Sequence, residues 1–144
     1  MELVVRGNCS LVTGIAGISE NIHINGIIDR YLEHSRIFIF ANGGEEKYYI
    51  GSADWMPRNL DNRIEVLAPV YDKEIQADLK RIVCYGYRDT AKGRIVDGTG
   101  ENRPWENRPS TLCKNFTPAL AEAETATVVF RSQEELYRKY KNIL

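Results

Sequence analysis

The chain has 144 residues, 43% of them hydrophobic and 27% charged, with a formal net charge of −1. That length supports one core, and the composition is that of an ordinary globular domain. The near-neutral balance leaves no global field to attract nucleic acid or a membrane surface, so any anion must be held by a local cluster of cations. Cys9, Cys84 and Cys113 are odd in number and lack metal-ligand spacing, so reduced thiols in a cytosolic protein are expected. The N-terminus has no charged region followed by an apolar one, and nowhere do 18 apolar residues run together. A cytoplasmic protein without a membrane segment is therefore expected.

In chain order, residues 2–6, "ELVVR", read as a strand entered with no lead-in, which points to a piece of a longer protein. "GNCSLVTGIAGISEN" carries three glycines and reads as a loop able to pass close to a ligand. In "INGIIDRYLEH" (24–34) apolar residues fall at 24, 27, 28, 31 and 32, the spacing of one helix face. "RIFIF" (36–40) is a strand, "ANGGEE" a hairpin-type turn and "KYYI" (47–50) its return. "NRIEVLAPV" (62–70) alternates with a period of two, which sets Arg63 and Glu65 on one face of a strand. "DKEIQADLKRIVCYGYRD" (72–89) is the clearest helix, with Ile75, Leu79, Ile82 and Val83 on one stripe. Residues 93–118 are loop-like, rich in Gly, Pro and Asn. "TATVVF" (125–130) reads as a strand, and Ser132 with Glu135 fits a capping box opening a terminal helix over 132–144. Helix and strand alternate, so the class is α/β. Strands 3–6, 36–40, 47–50 and 63–68 are expected in one central mixed sheet flanked by helices.

Chemistry concentrates around His34. "HSRIFIF", "YYIGSADW" and "NRIEV" bring His34, Arg36, Ser52, Asp54, Arg63 and Glu65 to turns and strand ends of one ββ unit. An imidazole exchanges protons near neutral pH, guanidinium groups pair with phosphate bidentately, and a Gly-Ser turn offers an amide and a hydroxyl to an oxyanion. The bland alternative for His34 is a capping residue at a helix end. For Glu65 it is a surface ion pair, against a role orienting Arg63 or His34. Ser52 and Asp54 either position a bound anion or close a tight turn; for Asp54 the turn is favoured, since a carboxylate repels an anion unless an arginine pairs with it.

The pattern resembles the second half-site of the phospholipase D superfamily, His-x-Lys, a hairpin, then Gly-Ser-x-Asn, with Arg36 in place of the lysine and Asp54 in place of the asparagine. A closer resemblance is carried by "VRGNCSL", "GISENI", "RYLEHSRIFIFANGG" and "YIGSADWMPRNLDNRIEVLAPV". These are similar to the C-terminal part of the polyphosphate kinase family, from about residue 3 to about residue 90, and more loosely at "RSQEELYRKY".

That resemblance implies a C-terminal phospholipase-D-like domain over residues 1–144, taken from an enzyme that transfers the γ-phosphoryl group of ATP reversibly to inorganic polyphosphate through a phosphohistidine. It implies ATP or ADP and polyphosphate as partners, Mg²⁺ as cofactor, and a homo-oligomer in the full-length enzyme. Residue by residue, His34 corresponds to a second active-site histidine acting as general acid beside the nucleotide phosphates. Arg6 and Arg63 correspond to ATP-phosphate contacts; beside that carry-over, Arg36, Ser52 and Glu65 are candidate supporting residues from the reading of the residues themselves. The phosphohistidine and the magnesium ligands are expected upstream, so the isolated chain is expected to be inactive. His23, in "NIHIN", is expected to be a strand or loop residue without a catalytic part. The rival readings are a self-sufficient homodimeric phosphodiesterase or nuclease with His34 as nucleophile, and a non-catalytic module that binds polyphosphate or nucleotide.

Overall fold

The computed structural model describes residues 1–7, 9–106, 108–114 and 129–142, so the strand expected at 125–130 falls largely outside the described residues. The chain forms two units, residues 1–32 with 82–144, and residues 33–81.

The first unit is built on a three-stranded mixed sheet. Strand β1 (Glu2–Val5) runs parallel to β2 (His23–Ile27), and β6 (Gly93–Ile95) pairs antiparallel with the other edge of β2. Here a helix expected from the apolar spacing at 24–34 is replaced by a strand. The reason is burial on both faces: Ile24 is 1% exposed and Asn25 and Ile27 are also buried, so a central strand shows no alternation and imitates a helical stripe. Its isoleucines favour the extended backbone, and the pairings on both edges decide the matter. His23 lies in β2 opposite Glu2.

The first unit also holds the second half of α2 (Lys73–Tyr87) and α3 (Ser132–Tyr140). The buried Asn25 donates its amide to the carbonyls of Gly86, Tyr87 and Asp89 at 3.0, 3.4 and 3.2 Å, which satisfies acceptors that the end of α2 leaves open. This close approach demands glycine at 93, where a Cβ would sit 2.0 Å from the Asp89 carbonyl oxygen. The fully buried Asp89 carboxylate then accepts from the Lys92 amide at 2.7 Å and from the Ser132 amide and hydroxyl at 2.8 and 2.7 Å. The start of α3 is thus capped by Asp89. In place of the expected capping box, Arg131 takes the N-cap position and Ser132, already the first residue of the helix, donates its hydroxyl to that carboxylate. Asp29, 1% exposed, accepts Arg131 through two bonds of 2.8 and 2.6 Å, and the Gln133 amide bonds both backbone groups of Tyr31.

Cys84 and Cys113 are joined as a disulfide with Cα atoms 5.7 Å apart, and Cys9 is free. This corrects the expectation of three reduced thiols: 29 residues of sequence separate the pair, and only the tertiary fold, which also joins Arg88 to the Cys113 carbonyl, brings the sulfurs together. Trp105 and Tyr87 meet edge to face at 5.1 Å in the same region.

The second unit carries an antiparallel sheet in the order β3 (Ile37–Phe40), β4 (Lys47–Gly51), β5 (Leu67–Val70). The β3–β4 hairpin closes through a tight turn over Asn42–Gly44, with Gly43 and Gly44 at positive φ as the sequence "NGG" foreshadows. The expected single sheet is therefore two three-stranded sheets, with β1 in one and the hairpin in the other. Between β4 and β5 a short helix, α1 (Pro57–Asn62), opens with Pro57 in its first turn. Residues 63–66 precede β5, so the strand expected from 63 begins at Leu67. Ser52 explains the delay: its amide bonds the Val66 carbonyl at 3.0 Å, but the Val66 amide is taken by the Ser52 hydroxyl at 2.9 Å instead of a ladder partner.

Helix α2 has the expected limits to within a residue or two. Its buried positions include Gln76 and residues 84–87, whereas Ile75, placed on the apolar stripe by the sequence, is 52% exposed. Lys80 of α2 bonds Glu46, which also accepts from the Tyr48 hydroxyl. Burial raises the Glu46 carboxyl, but the hydrogen bonds from Lys80 and Tyr48 outweigh it and leave the group below its ordinary value. Burial, reinforced by Glu46, pushes the Tyr48 phenol upward.

Candidate functional site

His34 lies in an irregular stretch directly ahead of β3, not at a helix end, because the helix expected before it does not form. Its ring is exposed, and its neighbour two residues on, Arg36, organises the site. Arg36 stands at the open end of the β3–β4 hairpin, where its carbonyl accepts from the Gly51 amide at 2.9 Å. The same register carries the chain after β4 back past Arg36, so Asp54 arrives beside a guanidinium 18 positions earlier. Arg36 donates to Asp54 Oδ1 from Nε at 2.9 Å and from NH2 at 2.8 Å.

The guanidinium also reaches His34. NH1 donates to the His34 carbonyl at 3.3 Å, NH2 lies 2.8 Å from Nε2, and NH1 lies 3.5 Å from Nδ1. A guanidinium has donors only, so Nε2 must accept and the ring proton sits on Nδ1 in this arrangement. Asp54, Arg36 and His34 thus form a line in which a carboxylate fixes a guanidinium and the guanidinium fixes an imidazole. With Nε, NH1 and NH2 all engaged, Arg36 serves as a brace and not as a free phosphate clamp. That pairing also removes the objection to a carboxylate at position 54. Asp54 closes the turn as well, since its carbonyl accepts from the Met56 amide at 2.7 Å and from the Asn59 side chain at 3.1 Å.

Ser52 donates its hydroxyl to Glu65, so Glu65 is engaged with Ser52 and forms no ion pair with Arg63 or His34. Arg63 ends α1 in an extended conformation, is exposed, and makes no ion pair with another described residue. Arg6 belongs to the first unit, where it follows β1 directly and is likewise exposed. In the second unit, Trp55 is the residue that sequence reasoning passed over. It stacks on Phe38 with centroids 5.7 Å apart and planes 21° apart while remaining 73% exposed. Its signal was its place directly after Asp54. Among the described residues no group of three or more His, Cys, Asp or Glu is placed to hold a metal ion. No helix among them is long and apolar enough to cross a membrane.

The fold defines an α/β domain of the phospholipase-D-like class. The polyphosphate kinase C-terminal domain 2 family model matches residues 1–115, and the chain belongs to that family. It is 48% identical over 103 residues to the polyphosphate kinase of Escherichia coli K12, covering 72% of this chain and 15% of that protein. The polyphosphate kinase of Thermosynechococcus vestitus is 42% identical over 128 residues, 88% of this chain and 16% of the relative. A crystal structure of polyphosphate kinase from Porphyromonas gingivalis superposes with a TM-score of 0.74 at 35% identity, over 99% of this chain and 19% of the solved one. The chain therefore spans a small C-terminal share of its relatives' length.

Proposed function

We propose that this chain is the part of a polyphosphate kinase that holds ATP phosphates and supplies an acid–base imidazole to phosphoryl transfer between ATP and inorganic polyphosphate. The observation that carries the reading is the exposed His34 ring braced by Arg36 and Asp54, in a chain nearly half identical to a polyphosphate kinase. Phosphoryl transfer needs positioning and cations where charge spreads over the phosphoryl oxygens. Arg63 of the second unit, exposed and without a carboxylate partner among the described residues, is a cation available to a phosphate, and Arg6 of the first unit is another.

In the proposed sequence the γ-phosphoryl group passes from ATP to a histidine upstream of this chain, releasing ADP. It then passes from that histidine to a terminal oxygen of the polyphosphate chain. His34 moves a proton at a phosphate oxygen, and Arg6 and Arg63 balance the charge of the phosphates. Magnesium would be held by residues upstream, and no role here depends on it.

The test uses two proteins. In a full-length polyphosphate kinase carrying this segment, His34→Gln should lower turnover by roughly 10²–10⁴-fold, the range of general acid–base catalysis, with the fold intact. The 144-residue chain alone should take up no acid-labile label from γ-labelled ATP. Label on His34 would make it a nucleophile and favour the self-sufficient dimer, and an unimpaired His34→Gln enzyme would sink the catalytic role.

A further inference from the structure

A hollow of about 370 Å³ opens in the first unit on one face of the β1–β2–β6 sheet, where Gly26 and Arg94 stand opposite each other. Its polar lining is Lys92, Arg94 and the Asn102 side chain, with no acidic residue among those that line it. Neither cation forms an ion pair with a described residue. Arg94 spends one nitrogen on the Gly93 carbonyl at 2.7 Å and keeps the others. Asp29, whose charge Lys92 senses, is bonded by Arg131 at 2.8 and 2.6 Å. A two-cation, acid-free hollow on a chain of net charge −1 is chemically an anion receptor.

Backbone geometry keeps it open. A Cβ at Gly26 would lie 2.7 Å from a Val96 methyl, so no side chain fills the floor, and Gly7 at the mouth holds a φ of +84°. Val5 pairs with Gly26 and Ile27 with Gly93, so β1 and β2 end, and β6 begins, at one edge of the sheet. Parallel strands present ligands at their C-terminal ends, and Arg6 sits at this edge, next to Gly7.

We propose that this hollow is a binding subsite for a stretch of a linear phosphoanhydride chain, contacted by Lys92 and Arg94 and continuing from the phosphate contact at Arg6. The identity of that chain as polyphosphate rests on the function proposed above. Two features select a chain. Lys92, just ahead of β6, and Arg94 within it are two positions apart on one face, about 6.6 Å of backbone at strand rise, which is too wide for the oxygens of one phosphoryl group and suits two groups of one chain that are next but one to each other. The lining is aliphatic where it is not polar, so nothing in it stacks a nucleobase.

The experiment is an NMR titration of the 144-residue chain with inorganic tripolyphosphate and, separately, with ATP, at one fixed salt concentration. Tripolyphosphate should shift the amides of Gly7, Gly26, Lys92 and Arg94. Lys92→Glu, at an exposed position, and Lys92→Glu with Arg94→Gln should each keep the wild-type melting temperature. The double variant should bind tripolyphosphate roughly tenfold or more weakly, as the loss of two charge-assisted contacts requires. Binding unchanged within about twofold would overturn the subsite, as would an absence of shifts at these amides. Stronger binding of ATP, with its base protons perturbed, would assign the hollow to nucleotides and also overturn it. An unimpaired His34→Gln enzyme alongside the expected tripolyphosphate shifts would remove the catalytic reading and leave the anion subsite standing.

Discussion

Asp54→Asn keeps the shape of the site and removes the charge that holds Arg36. The bond pair at 2.9 and 2.8 Å joins a side chain 42% exposed to one 18% exposed. It therefore lies between a solvated surface bridge, ~0–1 kcal/mol, and a buried charged hydrogen bond, ~1.5–3 kcal/mol. Solvent screening sets it near 1 kcal/mol, roughly a fivefold change in how often Arg36 is ordered. Global stability should scarcely change, but Nε2 of His34 should lose its donor. The assay is the ¹⁵N spectrum of the two imidazoles under conditions where His34 is neutral, with His23 as internal reference. The wild type should show His34 mainly with the proton on Nδ1, and Asp54→Asn should move it towards the Nε2-protonated form. Arg36→Ala should do the same, and the double variant should add nothing further, since the two act in series. A wild-type ring protonated mainly on Nε2 would refute the relay. So would an Asp54→Asn spectrum identical to wild type when Arg36→Ala changes it.

Asp89→Ala removes a buried carboxylate that accepts three hydrogen bonds and caps α3; a loss of about 3–5 kcal/mol is expected in urea titration, with early exchange of the Ser132 and Lys92 amides. Asp29 sits below its ordinary carboxylate range chiefly through the Arg131 hydrogen bonds, with burial opposing. Its folded value is therefore lower than its unfolded value near 3.9, and its stabilisation is complete above about pH 4 and fades as pH falls through the folded value. The stability gap between wild type and Asp29→Asn should accordingly be wide at neutral pH and close in acid. Closing the 29-residue separation between Cys84 and Cys113 is worth ~3–4 kcal/mol on the chain-entropy model. Thiol titration of the unreduced chain should find Cys9 alone, and reduction should lower the melting temperature.

The sequence by itself determined the elements whose signals are local. The β3–β4 hairpin follows from strand alternation around "ANGG", and α2 follows from a long amphipathic run. Family membership follows from "YIGSADWMPRNLDNRIEV", which no tertiary fact was needed to read. The sequence also marked His34, Arg36 and Asp54, because they stand at the junctions where strands end. Only the tertiary structure decided how those residues engage. Arg36 meets Asp54 because the hairpin register returns the chain to that point, and pairing across 18 positions has no periodic trace. β2 was misread because a strand buried on both faces loses its alternation. β6 was missed because three residues hold a strand only when a neighbour supplies the other half of the ladder. The cap of α3 lies 43 positions upstream in Asp89, and the partner of Cys84 lies on a loop without regular structure. Short-range patterning is written in side-chain spacing, whereas burial, capping and charge pairing depend on which segments fold together.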